Sequence, residues 1–274
     1  MSIKCTALLP HPPIIIPEIG GRELENAEET VQGVKKTAAK MAENEGLDLL
    51  ITISPHGPVF KSHAAVVVKE NLFGSFKEFG KPSLKFKEKS DIDFSQNLVN
   101  NAEKEGLNLA GLNADDLKRY GIEEELDHGI MVPWYYIKQA GLDLPLIPIT
   151  IGFISYRELF KIGKIIAKTA EQMGYNIAVL ASGDLSHRLK RGAPAGYHPD
   201  GEVFDKTLID KLKNKKFKEV LDIDKKLIEN AGECGMRPLI MMLGSIEGKD
   251  VDVDFYSYEG PFGVGYAELY FQVK

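Results

Sequence analysis

Four nearly uninterrupted apolar runs constrain this chain most: residues 3–9 (IKCTALL), 47–54 (LDLLITIS), 145–152 (PLIPITIG) and 176–182 (NIAVLAS). A strand with one wet face alternates apolar and polar residues, so runs this uniform belong to strands covered on both sides. Helical spacing fills the intervals. Ala27, Val31, Val34, Ala38 and Met41 predict a helix over 22–45 that Gly46 ends. Further helices are predicted over 91–105, 113–120, 128–140, 155–173, 202–212, 217–230 and 235–245. Residues 14–21 read as an apolar loop, 63–69 as another strand, 70–90 as a polar loop or hairpin excursion, and Glu123–Glu125 as an acidic turn. Two alternating stretches, 251–258 and 264–273, predict closing strands around the turn Glu259–Gly263. This alternation of helices and strands predicts an α/β sandwich with a central sheet flanked by helices. The short connection between the last two strands makes that sheet mixed. No repeat, low-complexity tract or linker divides residues 1–274, which predicts one domain.

With 43% hydrophobic residues, the chain can bury a large core. A net charge of −6 argues against a nucleic-acid-binding surface. Lysine does cluster, over 69–89 and 211–219, but acids interrupt both runs and mark them as solvated faces. Cys5 and Cys234 are the only cysteines, so no disulfide framework is indicated and a reducing compartment fits. The N-terminus lacks a signal-peptide pattern, and no stretch approaches the ~20 apolar residues of a membrane span. A cytoplasmic location without membrane attachment is expected. Neither G-x-G-x-x-G nor a phosphate-binding G-x-x-x-x-G-K-[ST] loop occurs, which leaves nucleotide binding without support.

Four of the six histidines sit where a predicted strand ends or a loop turns: His11 in LLPHPP, His56 in ITISPHGP, His128 in ELDHG and His187 in ASGDLSH. Ligands of open α/β sheets collect beyond the carboxyl ends of strands, and His11, His56 and His187 each follow one directly. Prolines beside His11 and His56 stiffen the backbone and remove competing N–H donors. Two histidines plus a carboxylate hold Fe(II) on three corners and leave the others open. Ligands drawn from distant segments, without C-x-x-C or H-x-x-x-H spacing, suggest a catalytic pocket rather than a structural zinc clip. Glu233, in AGECGM between Gly232 and Gly235, is the candidate carboxylate; its other reading is an acid complementing the dipole of the 235–245 helix. His187 is a third ligand or a general acid/base oriented by Asp184, against the alternative of a histidine bonded to its own turn. His128 follows Asp127 at a helix start, where its ring can meet an anionic ligand, or where Asp127 is simply an N-cap. His63 reads as structural. His198 is open between the pocket mouth and plain surface. Cys234 is either part of the site or a small buried thiol, while Tyr256 and Tyr258 read as sheet packing.

The landmarks LLPHPP, SPHGP, LDHG, SGDLSH, GECG and GPFGVGYA follow in order over nearly the whole chain. In them the chain resembles the class III extradiol ring-cleavage dioxygenases, the catalytic-subunit-B superfamily, and within it the dioxygenase-like proteins of the AmmeMemoRadiSam group. The resemblance implies His11 and His56 as metal-binding histidines, Glu233 as the metal-binding carboxylate, His187 as acid/base and His128 as the residue contacting substrate and oxygen. It also implies Fe(II), with zinc as the alternative occupant, a small aromatic diol and dioxygen as reactants, and a role in aromatic compound catabolism. An oligomer of identical chains is expected, with an Ammecr-type or radical-SAM protein as partner. Fusion to the former would continue beyond Lys274, which this chain does not. No separate small subunit is visible, and the aromatic specificity residues of the pocket have no match here. Two other functions remain open on the residues alone. One is a Memo-like metal-binding protein with a redox or modification role and no catechol cleavage. The other is a zinc hydrolase holding a water with His11, His56 and Glu233.

Overall fold

The apolar runs at 49–54, 146–150 and 177–182 are buried at every residue. In the computed structural model, which describes residues 2–122 and 124–274, they are inner strands of an eight-stranded sheet. Strands β1 (Ile3–Leu9), β2 (Leu49–Ser54), β3 (Ala64–Val67), β4 (Asn71–Phe76), β5 (Lys81–Lys89), β6 (Leu109–Leu112), β7 (Leu146–Thr150), β8 (Ile177–Ser182), β9 (Val251–Glu259) and β10 (Tyr266–Val273) follow one another along the chain. The sheet order is β6-β3-β7-β2-β8-β1-β10-β9, and β4 and β5 form a separate hairpin. β7, β2, β8 and β1 run parallel, whereas β3 and β10 flank them antiparallel. The sheet is therefore mixed, as expected, and both of its faces are covered.

Successive strand residues point to opposite layers. Ile51, Ile53, Val179 and Ala181 pack with the helices Ile92–Lys104, Tyr156–Met173, Asp200–Lys213 and Met236–Ser245. Leu50, Ala178 and Leu180 pack on the other side with the helices Glu28–Ala42 and His128–Gln139. Burying one such aliphatic side chain contributes about 1.5–3 kcal/mol, so the central strands are the rigid part of the molecule. The 156–173 and 236–245 helices approach to backbone contact. A Cβ on Gly163 would lie 1.9 Å from the Met241 carbonyl oxygen, and one on Gly244 would lie 2.0 Å from that of Phe160. That contact fixes the 236–245 helix against the 156–173 helix. Among the described residues no helix is long and apolar enough to cross a membrane.

Local departures from the expected elements have identifiable causes. The helix predicted from residue 22 starts as a tighter 3-10 turn, Gly21–Ala27, and becomes α-helical at Glu28. The stretch expected as an apolar loop over 14–21 instead falls in two short helical turns, Pro13–Ile15 and Pro17–Gly20, each opened by a proline. The 217–230 helix is broken into Phe217–Val220 and Lys225–Ala231, because Asp224 caps the second piece through the Lys226 N–H (3.1 Å). The 70–90 excursion is the β4–β5 hairpin. Strand β6, only four residues long, carries no visible pattern in the sequence. Glu123, the first residue of the expected acidic turn, lies outside the described residues.

Candidate metal centre

Strands β2, β8 and β1 are adjacent and parallel, so their carboxyl ends emerge side by side. Each delivers a chemically active residue two positions beyond its end: His56 after Ser54, Asp184 after Ser182, and His11 after Leu9. Leu9 and Ser182 are themselves register partners. The Asp184 carboxylate accepts the His11 backbone N–H at 2.9 Å, which ties two of the three loops together.

The His11 ring is buried, and its Nδ1 lies 2.8 Å from Ser182 Oγ. The Ser182 hydroxyl donates its single proton to the Gly129 carbonyl, so its oxygen can only accept from His11. The network therefore assigns the proton to Nδ1 and leaves the lone pair on Nε2. That Nε2 faces His56 Nε2 at 2.9 Å. Two imidazole nitrogens at this distance need a proton or a cation between them; two nitrogens about 2.1 Å from one ion at right angles would lie about 3 Å apart. His128 stacks on His56 with centroids 4.3 Å apart and stands edge-on to His11 at 5.5 Å. Its loop is anchored by the Ser54 hydroxyl, which donates to Asp127 at 2.6 Å and accepts the His56 N–H at 3.2 Å.

Cys234, rather than the expected Glu233, is the third residue grouped with the two histidines. The ligand atoms of His11, His56 and Cys234 all lie within 4.8 Å of one another, and the Cys234 sulfur is 3.6 Å from His11 Nε2. Glu233 is in no such group among the described residues; its carboxylate accepts the Met236 N–H at 2.6 Å at the start of the 236–245 helix. The bare N–H groups of the helix end draw the carboxylate, while backbone packing aims the thiol. A Cβ on Gly183 would lie 2.2 Å from the Gly235 Cα, so only glycines allow the two loops to touch. The Asp184 carbonyl accepts the Gly235 N–H at 2.9 Å, and the Asp184 N–H donates to the Cys234 sulfur at 3.3 Å.

His187 belongs to a second close group with Asp184 and Cys234, and its Nε2 is buried with no hydrogen-bond partner among the described residues. The remaining histidines lie elsewhere. His63 precedes β3 rather than lying within it and stacks on Phe60 at 4.3 Å. His198 accepts the Asp200 N–H at 3.1 Å, which makes it part of the turn into the 200–213 helix. Tyr258 packs at the sheet and also donates to Asp205 at 2.7 Å.

Burial dominates the electrostatics. It pushes the His11 pKa well below the ordinary value, with His56 and His187 adding repulsion, and it lowers His56 and His187 against the pull of Asp184. His128 falls to about 3, first through burial and then through its two histidine neighbours. All four imidazoles are therefore neutral at neutral pH, the form that ligates metal. Burial also raises Asp184 to about 6 and Glu233 to about 7. It lifts the Cys234 thiol well above its usual range, with Asp184 and Glu233 adding to the effect. A bound cation reverses this last shift, because a coordinating thiol loses its proton. Two neutral imidazoles, one with its tautomer fixed, and a thiol beside them fit a mononuclear metal ion.

Fold and site together define an α/β protein with a cluster of histidine, cysteine and aspartate side chains that could hold a metal ion at the carboxyl edge of its sheet. Residues 5–268 match the family model of the catalytic LigB subunit of aromatic ring-opening dioxygenase. The chain belongs to that family. It is 38% identical over 272 residues to a curated protein of Clostridium acetobutylicum, covering 98% of this chain and 57% of that relative, so the chain spans little more than half the relative's length. The crystal structure of an uncharacterized protein from Escherichia coli K12 shares the fold, with a TM-score of 0.64 at 15% identity over 97% of this chain and 99% of the other.

Proposed function

We propose that this chain is a ring-opening oxidoreductase that holds Fe(II) with His11, His56 and Cys234 and acts on a small aromatic diol with dioxygen. One observation carries the reading: the paired Nε2 atoms of His11 and His56, 2.9 Å apart, with the Cys234 sulfur 3.6 Å from the former. When bound, Fe(II) supplies open positions at which diol and dioxygen meet. Both oxygen atoms enter the product as a ring C–C bond beside the diol breaks, so no outside reductant is consumed. The chain's own groups handle protons and shape. His128 lines a cleft of about 370 Å³ with His56, Asp127, Phe79 and Met131, and as a neutral ring it can bond a diol hydroxyl. His187, with a free buried Nε2 beside Asp184, is placed to accept a hydroxyl proton and hold it as imidazolium.

Anaerobic Fe(II) loading followed by oxygen and a panel of catechols tests this, read by the yellow ring-opened product. His187→Ala should keep the metal and lose turnover. A fully metallated protein that opens no diol ring would refute the proposal.

Cys234 favours a second reading. A thiolate is a softer ligand than the carboxylate of a facial triad and suits redox-active or thiophilic ions. On this reading the centre is Memo-like, with a redox or modification role alongside an Ammecr-type or radical-SAM protein. Inertness toward every catechol, combined with stoichiometric binding to such a purified partner, would favour it.

A further inference from the structure

His187 rides on the turn 185–188, whose backbone groups can be accounted for one by one. The Leu185 N–H donates to the Gly265 carbonyl at 2.8 Å, and the Ser186 carbonyl accepts the Gly265 N–H at 2.8 Å. The His187 N–H donates to the Ala231 carbonyl at 3.1 Å. The Ser186 hydroxyl donates to the same Ala231 carbonyl at 3.0 Å and accepts the Arg188 N–H at 3.0 Å. That leaves the Ser186 N–H, directly before His187. It donates at 2.8 Å to the carboxylate of Asp205, a side chain 19 residues further along the chain.

Asp205 stands on the 200–213 helix and is fully buried. It also accepts the Tyr258 hydroxyl at 2.7 Å, so one carboxylate joins the edge strand β9 to the His187 turn. A Cβ on Gly265 would lie 2.1 Å from Asp205 Oδ2 and 3.1 Å from the Leu185 Cβ. Only glycine lets the chain entering β10 pass between the turn and the carboxylate. A carboxylate is costly to bury unless it is hydrogen-bonded. Burial raises Asp205 to about 7, while the Tyr258 hydroxyl and the Ser186 N–H pull it back down and Glu202 adds a smaller upward push. A bond from an N–H to an ionised acceptor is roughly twice as strong as a neutral one. The ring side of His187 offers no such anchor. Its Nε2 is buried without a hydrogen-bond partner among the described residues, so the ring takes its direction from the turn that carries it.

We propose that Asp205 is the positioning residue of His187, holding the Ser186 N–H so that the imidazole stays aimed at Asp184 and Cys234. The proton-accepting role of His187 rests on the dioxygenase reading, but the aim of its ring does not, and the test needs neither metal nor turnover.

The test is the proton–nitrogen correlation NMR spectrum of the imidazoles in the whole metal-free chain, with the His187 signals identified by their loss in His187→Ala. Asp205→Ala should shift the His187 signals or broaden them beyond detection, while those of His11, His56 and His128 stay in place. Asp205→Asn keeps an oxygen that can accept the Ser186 N–H and should bring the His187 signals back. Tyr258→Phe loosens Asp205 without touching the turn and should give a smaller shift confined to His187. Thermal melting of each variant checks folding, and if Asp205→Ala does not fold, Tyr258→Phe decides. Unmoved His187 signals in the deciding variant, equal displacement of all four histidines, or no rescue by Asp205→Asn would overturn the assignment. A chain that shows the His187 response yet opens no ring refutes the dioxygenase reading and leaves the role of Asp205 intact.

Discussion

His11 and His56 come to the centre from the ends of β1 and β2, whereas Cys234 comes from a turn between two helices. The histidine loops inherit the rigidity of the most buried part of the sheet; the Asp184 carboxylate and the Ser182 hydroxyl tie the His11 loop down further, and the Ser54 hydroxyl holds the His56 N–H. The cysteine turn has no strand beneath it. Its position depends on the glycine-to-glycine contact at 183 and 235 and on one Asp184 carbonyl that accepts Gly235. Two donors are thus set by sheet geometry and the third by a close backbone crossing. The difference matters at 233–234, where only the thiol comes within reach of the two histidines and the carboxylate accepts the Met236 N–H.

Removing a sheet-borne donor should have the largest effect. His56→Ala should lower metal affinity by more than the roughly 10–100-fold typical of outer-sphere changes, and elemental analysis after gel filtration should find the variant without metal. The turn is tested by a matched pair. Cys234→Ala should abolish the thiolate-to-cobalt charge-transfer absorption of the cobalt-substituted protein, whereas Glu233→Gln should leave that band and the metal content in place. The glutamine should instead cost about 1 kcal/mol in chemical denaturation, the scale of a weakened helix cap. The opposite outcome for this pair would return Glu233 to the metal. Ser182→Ala removes the acceptor that fixes the His11 tautomer, so a competition assay against a chelator should show an affinity loss of about 10–100-fold with stoichiometry kept.

The smallest effect is expected from pH. Burial holds His128 down to about 3 and displaces the other three imidazoles the same way. Below the ordinary histidine pKa of about 6.5, the unfolded chain then binds more protons than the folded one. The histidine contribution to stability is complete above that pH and is lost as pH falls toward about 3. Asp184 and Glu233, raised to about 6 and about 7, act in the opposite sense, since protonation relieves their burial. The readable quantity is a difference: His128→Phe should flatten the fall in stability of metal-free protein below pH ~6.5, measured by urea denaturation across a pH series. An unchanged slope would mean that His128 is more hydrated than its place beside His11 and His56 implies.

The same contrast explains what the sequence revealed. Strands buried on both faces leave uniform apolar runs, so β2, β7 and β8 were visible, and with them the residues just past their ends. Strand β6, four residues with two half-buried, leaves no such trace. The Glu233–Cys234 choice was not legible, because it depends on which way a turn faces once Gly183 and Gly235 touch.

X-ray absorption spectroscopy of the metal-loaded protein tests the central assignment most directly. The account predicts one sulfur scatterer at about 2.3 Å together with imidazole nitrogens at about 2.0–2.1 Å, the distances of a zinc-loaded site. A first shell of nitrogen and oxygen alone, with no sulfur, would contradict it.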